Sequence, residues 1–152
     1  MKIKVRKETV NCSVCKQRNI FLYLMDFSYA ERLALYDNGR RYAYINLLNN
    51  KTYDDFLMLV SRVMNNIKKK DALDFNQVLD NNLFSIACDK INGTEVLFDM
   101  KKKCEKCGSD CFDDYLLIPE EVEEVDLPII TYNKWNMLSD EKKMEMILNS
   151  IK

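Results

Sequence analysis

The chain has 152 residues, 47% of them hydrophobic, with three glycines and two prolines: enough apolar material for one packed core, and too little loop composition for a disordered protein. Its formal net charge is −1 and it contains no histidine, which removes Ser-His and Cys-His catalysis and every His-containing metal site. No run approaches the ~18 apolar residues of a transmembrane helix, and the opening Met1-Lys2-Ile3-Lys4-Val5-Arg6 alternates charged and apolar residues where a signal peptide would be continuously apolar. The expectation is one cytoplasmic domain, residues 1–152, with no membrane contact.

Residues 2–10 alternate with period two, the pattern of a half-buried strand. Ile20-Phe21-Leu22-Tyr23-Leu24 is a credible partner, which places Cys12-Ser13-Val14-Cys15 at the tip of a hairpin. Ser28-Tyr29-Ala30-Glu31 has the form of a capping box and predicts a short helix from Tyr29 to about Tyr36, then a strand at 41–47. The same stretch also reads as a hairpin, because Asn38-Gly39 separates Leu33–Tyr36 from Tyr42–Ile45. The capping box favours the helix.

Thr52 is the expected cap of a longer helix that carries Asp54 and Asp55 in its first turn and ends in Lys68-Lys69-Lys70, charges that suit the helix dipole at both ends. Phe56, Val60, Val63 and Ile67 recur at helical spacing and form its buried stripe. A short helix near Ala72–Leu79 follows. Phe84–Cys88 and Glu95–Met100, joined through Asn92-Gly93, read as a second hairpin that leads into Cys104-Glu105-Lys106-Cys107-Gly108. Cys111-Phe112 to Tyr115–Ile118 then reads as a returning strand. Pro119 to Asp126 is an acidic connector. A C-terminal helix starts at Ser139, holds Asp140 and Glu141 in its first turn, and aligns Met144, Ile147, Leu148 and Ile151 on one face. Trp135 is expected to dock this tail on the body.

Two Cys-x-x-Cys pairs supply four thiolates, the ligand set of a tetrahedral structural zinc site, in a compartment where thiols stay reduced. Cys12, Cys15, Cys104 and Cys107 are the candidate ligands. Gly108 stands where the turn after the second pair needs positive φ, while Lys16 holds the matching place after the first. In residues 2–25 and 95–118 the chain resembles zinc-ribbon proteins, with an insertion at 26–94 and a tail at 119–152. The fold expected is thus α+β: a four-cysteine ribbon, a mixed helix and strand insertion, and a C-terminal helix. A rubredoxin-like iron site uses the same ligand set, and one pair as a free redox dithiol is the remaining alternative. Cys111 either replaces Cys107 or is a spare thiol. Cys88, in an apolar run, is a small buried hydrophobe.

Charge points to a partner. Residues 1–18 carry Lys2, Lys4, Arg6, Lys7, Lys16 and Arg18 against Glu8, a balance of +5. Residues 110–126 carry Asp110, Asp113, Asp114, Glu120, Glu121, Glu123, Glu124 and Asp126 with no basic residue, a balance of −8. The two segments either neutralise each other or leave an acidic face for a basic protein partner, as in an immunity or antitoxin-like inhibitor. The alternative partner is nucleic acid, through the basic first strand and Lys101-Lys102-Lys103, against which the overall charge counts. No catalytic constellation stands out: Asp54/Asp55 and Asp113/Asp114 are adjacent pairs, not carboxylates facing each other across a cleft. The protein is expected not to be an enzyme.

Overall fold

The computed structural model describes residues 1–26, 28–67, 75–113 and 121–151. Among these the fold is α+β, with two small antiparallel sheets and four α-helices. Strand β1 (Lys2–Asn11) lies between β2 (Arg18–Leu24) and β5 (Glu121–Asp126), antiparallel to both. Strands β3 (Glu31–Tyr36) and β4 (Arg41–Asn46) form a separate hairpin.

That hairpin corrects the helix expected at Tyr29–Tyr36. The turn places Asp37, Asn38 and Gly39 at φ of 52°, 55° and 85°, left-handed conformations that Asn and Gly accept most cheaply. Its two faces then serve different cores. Ala34, Tyr36, Ala43 and Ile45 join the main core, whereas Tyr44, with Leu33 and Tyr42, joins a smaller one formed with Ile3, Val5 and Leu127. The hairpin is therefore a middle layer, buried on both sides, between the three-stranded sheet and the helices. A helix with one apolar stripe could not serve two cores. Its edges are extended too: Leu35 exchanges two backbone hydrogen bonds with Leu97, and Tyr44 takes one from Ile130 and gives one to Pro128.

Helix α1 (Lys51–Asn66) buries Tyr53, Phe56, Leu59, Val60, Val63 and Met64; Ile67 packs against this core just beyond its end. Its cap is Asn50, not Thr52: the Asn50 side chain accepts the Tyr53 N–H at 3.0 Å, and Thr52 already lies within the first turn. Lys68–Lys70 and the start of the expected second helix lie outside the described residues; α2 runs Phe75–Asp80. Leu83–Ala87 is a 3₁₀ helix instead of the expected strand. Asn82 starts it in a left-handed conformation and accepts the Phe98 and Asp99 N–H groups on its side chain. This turn drives Phe84 edge-on against Tyr53 and Phe56, with ring centroids 5.0 and 5.1 Å away. Of the expected hairpin through Asn92-Gly93 only the Ile91–Thr94 bridge forms.

Trp135, on α3 (Asn133–Asn136), is buried 5.5 Å from Phe56, as expected of the residue that docks the tail. Helix α4 (Asp140–Ile151) buries Ile147 and packs Met144, Leu148 and Ile151 on the same core. Ser139 accepts the Lys142 N–H at 3.3 Å, the cap its position implies. The acidic connector is a further correction: Glu121–Asp126 is a strand, because β1 places Lys4 opposite Glu124 and Lys2 opposite Asp126, and opposite charges across a ladder favour the pairing. No described helix is long and apolar enough to cross a membrane.

Candidate metal centre

The turn after β1 and the turn at 104–109 have the same backbone. Lys16 N–H bonds the Cys12 carbonyl at 3.0 Å and Gly108 N–H the Cys104 carbonyl at 3.0 Å. Cys12 N–H bonds the Gln17 carbonyl at 2.9 Å and Cys104 N–H the Ser109 carbonyl at 2.8 Å. Lys16 at φ 63° and Gly108 at φ 77° take the same left-handed step. The first turn is as regular as the second without a glycine. Each turn aims the N–H groups two and three residues ahead at its leading sulfur: Val14 and Cys15 at Cys12, Lys106 and Cys107 at Cys104. The strands expected around the second turn are not formed among the described residues, and 114–118 lie outside them. The two turns are joined instead by a Cys12–Phe112 bridge, with Ser13 N–H on the Cys111 carbonyl at 3.0 Å and Asp113 N–H on the Asn11 carbonyl at 2.9 Å.

This brings the four predicted sulfurs together. Those of Cys12, Cys15, Cys104 and Cys107 all lie within 4.8 Å of one another, with Cys12–Cys107 and Cys15–Cys104 each at 3.5 Å. Thiolates around a zinc ion at about 2.3 Å stand roughly 3.8 Å apart, so the observed spread brackets a tetrahedral site. All six cysteines are free thiols. The set fits a metal ion and leaves no protein-free position on it for a reactive water.

The leading cysteines are buried and the trailing ones more open, Cys107 being exposed. The Cys15 and Val14 N–H groups draw the Cys12 thiol below its ordinary value. Burial raises Cys104, but N–H donors from Cys107, Asn19 and Lys106 outweigh it and bring that thiol to about 6. The Ser109 N–H lowers Cys107, yet burial and its three sulfur neighbours push it up to about 11. Four thiols this close resist full ionisation without a cation among them.

Asn19 carries no sequence signal for this site, yet it links both turns. It is 1% exposed, donates to the Gln17 carbonyl at 3.0 Å and to Cys104 Sγ at 3.3 Å, and accepts the Glu105 N–H at 2.9 Å. Such outer partners orient ligands and hold their charge. Cys111 contributes its backbone, the carbonyl to Ser13 and the N–H to Ser109 Oγ at 3.1 Å, while its thiol is exposed, 3.7 Å from Asp110. The Cys88 thiol donates to the Phe84 carbonyl at 3.4 Å, and burial pushes it well above its ordinary value.

The acidic candidates divide. Asp113 is held by Ser13 at 2.9 Å and Lys16 at 3.5 Å, and Glu123 by Lys7 at 3.1 Å. Asp110, Glu121 and Glu124 are exposed and have no ion pair among the described residues. Asp114 and Glu120 lie outside those residues. Compared with known proteins, the chain matches no family model, no curated protein and no solved structure.

Proposed function

We propose that Cys12, Cys15, Cys104 and Cys107 hold one structural zinc ion, and that the protein is a non-catalytic module that recognises another protein. The convergence of four sulfurs through two matching turns carries the metal assignment. A site saturated by thiolates supports stability over catalysis. Metal analysis of protein purified without added metal tests it, with about one zinc per chain and no visible colour expected; a red protein containing iron would overturn zinc. Cys104→Ser should lose the metal and about 4 kcal/mol or more of stability. Cys88→Ser should keep the metal and cost only about 1–2 kcal/mol. Metal content unchanged in Cys104→Ser would refute the ligand set.

The partner reading rests on β5, an edge strand of its sheet, together with Asp110 beyond the second cysteine turn. After internal pairing, Asp110, Glu121 and Glu124 still offer charge that would draw in a basic protein surface, in concrete form the target of an immunity or antitoxin-like inhibitor. A tagged pull-down split into nuclease-treated and untreated halves tests this. One basic protein that survives nuclease, and is lost with Glu121→Gln/Glu124→Gln, is the expected result. Nucleic acid is the second reading, favoured by exposed Lys101 and Lys106 beside the second turn. The first strand offers it less than the sequence implies, since Lys7 is paired with Glu123 and Arg6 with Asp26. Recovery that vanishes with nuclease would promote it.

A further inference from the structure

A pocket of about 210 Å³ opens between β2, the β3–β4 turn and the second cysteine turn, with Arg40, Arg41, Lys102, Tyr42 and Ile20 on its walls. Charges around it largely cancel in pairs. Arg41 faces Asp37 at 3.5 Å, and the lining carboxylate Asp126 is taken by the Met1 amino group at 2.7 Å. Lys102 donates to the Arg40 and Lys103 carbonyls and stands 5.7 Å over the Tyr42 ring. Glu105 is the remaining carboxylate on the wall and has no ion pair among the described residues. Arg40 and Lys102 against Glu105 leave one positive charge.

Arg40 is where the pairing fails. Its Nε is shut off from solvent and has no acceptor among the described residues, and its Nη2 presses on the second turn, 3.1 Å from where a Cβ on Gly108 would stand. A buried guanidinium donor without an acceptor is costly and rare. The neighbouring cations Arg41 and Lys102 add repulsion. One oxyanion in the pocket offsets the repulsion among the three cations and, with a turn of the Arg40 side chain towards it, supplies the acceptor that Nε lacks; guanidinium forks match tetrahedral oxyanions with two parallel hydrogen bonds.

We propose that this pocket binds a phosphate group, with Arg40 and Arg41 as the paired donors, Lys102 as the point charge, and Tyr42 with Ile20 as an apolar wall for whatever the phosphate carries. The residual single positive charge suits a singly charged phosphate such as a phosphodiester. This site stands apart from the protein-partner reading and does not depend on it.

The test uses the metal-loaded full chain, with inorganic phosphate in a calorimetric titration and a fluorescein-labelled single-stranded oligonucleotide in an anisotropy titration. Binding of inorganic phosphate would place the source in free phosphates; binding of the oligonucleotide alone would place it in a nucleic-acid backbone. Either supports the site if Arg40→Gln weakens it about tenfold and Arg40→Lys, which keeps charge but loses the fork, falls between. Should Arg40→Gln not fold, Arg41→Gln on the exposed rim is expected to weaken the same probe about threefold, roughly the share of one surface charge-assisted contact. Three results would overturn the proposal: neither probe binding, binding unchanged in both glutamine variants, or Arg40→Gln altering only how fast a chelator removes the metal. The last would make Arg40 a counter-charge to the thiolates.

Discussion

Asn19 shows what a single side chain does for the centre. Each polar atom of its amide is used, and the bonds span from Gln17 to Glu105. Asn19→Ala should cost about 2 kcal/mol, since it strands a buried N–H, and loosen the metal by about 10–100-fold. Denaturant unfolding and competition with a chelator read the two effects; metal retention like the wild type would reduce Asn19 to space-filling. The four cysteines were legible because their spacing is local. Asn19 was not, because its partner Glu105 lies 86 positions away and a polar residue opening an apolar strand has many explanations. Gly108 was legible through its turn, but Lys16 hid the same backbone behind a side chain. Gly108→Ala should therefore cost about 1–2 kcal/mol at φ 77°. Lys16→Gly should gain up to about 1 kcal/mol at φ 63°, both read by thermal unfolding.

Elements were legible where one face meets one core. The stripes of α1 and α4 appear in the sequence at helical spacing and in the fold as buried faces. Strand β4 stands where a strand was expected, but β3 and the Leu83–Ala87 turn differ from expectation for a common reason: both are apolar on more than one side, and periodicity is silent there. Helix α3 owes its place to a residue from another segment. Asp89 accepts the Asn133 N–H at 2.7 Å, the Lys134 N–H at 3.1 Å and the Thr131 hydroxyl at 2.7 Å, and so caps α3 from outside. Burial raises the Asp89 carboxyl, but these donors and the Lys134 charge hold it below the ordinary carboxylate range. The bonded form is the ionised one, so its stabilisation is present above the unfolded value of about 3.9 and lost as pH falls through the lower folded value. Asp89→Asn should cost about 1 kcal/mol near pH 7, and the gap to the wild type should close below about pH 4. Urea unfolding of both proteins across that range checks it; a gap independent of pH would mean the charge is idle.

At the scale of the whole molecule, the proposed metal would matter to the two cores to different degrees. The main core contains none of the four cysteines and draws on α1, α4, Trp135 and the hairpin. The smaller core lies under the sheet whose β1–β2 turn carries Cys12 and Cys15. Metal removal should therefore release amide protection at 12–17 and 104–109 while Trp135 emission stays that of a buried ring. Hydrogen exchange with and without chelator reads this; simultaneous loss of both would show one cooperative unit. The charge asymmetry of the sequence resolves at this scale as well. Most of the basic first strand faces the acidic fifth across a ladder, a pairing of segments more than a hundred residues apart that no local pattern records.

The distance between the two cysteine turns has a consequence for synthesis. Cys15 and Cys104 are 89 positions apart, and at ~5–20 residues per second a ribosome takes roughly 5–20 s to cover such a gap. During that interval the first thiol pair has left the tunnel with no second pair to meet, and β1 has one neighbour where the finished protein gives it two. Closing so long a loop costs roughly 4 kcal/mol in chain entropy, which favours the hairpin and helices forming first and the proposed metal site closing last. The nascent chain is thus most open to thiol oxidation, and to capture of the wrong metal, at the end of itself that was made first.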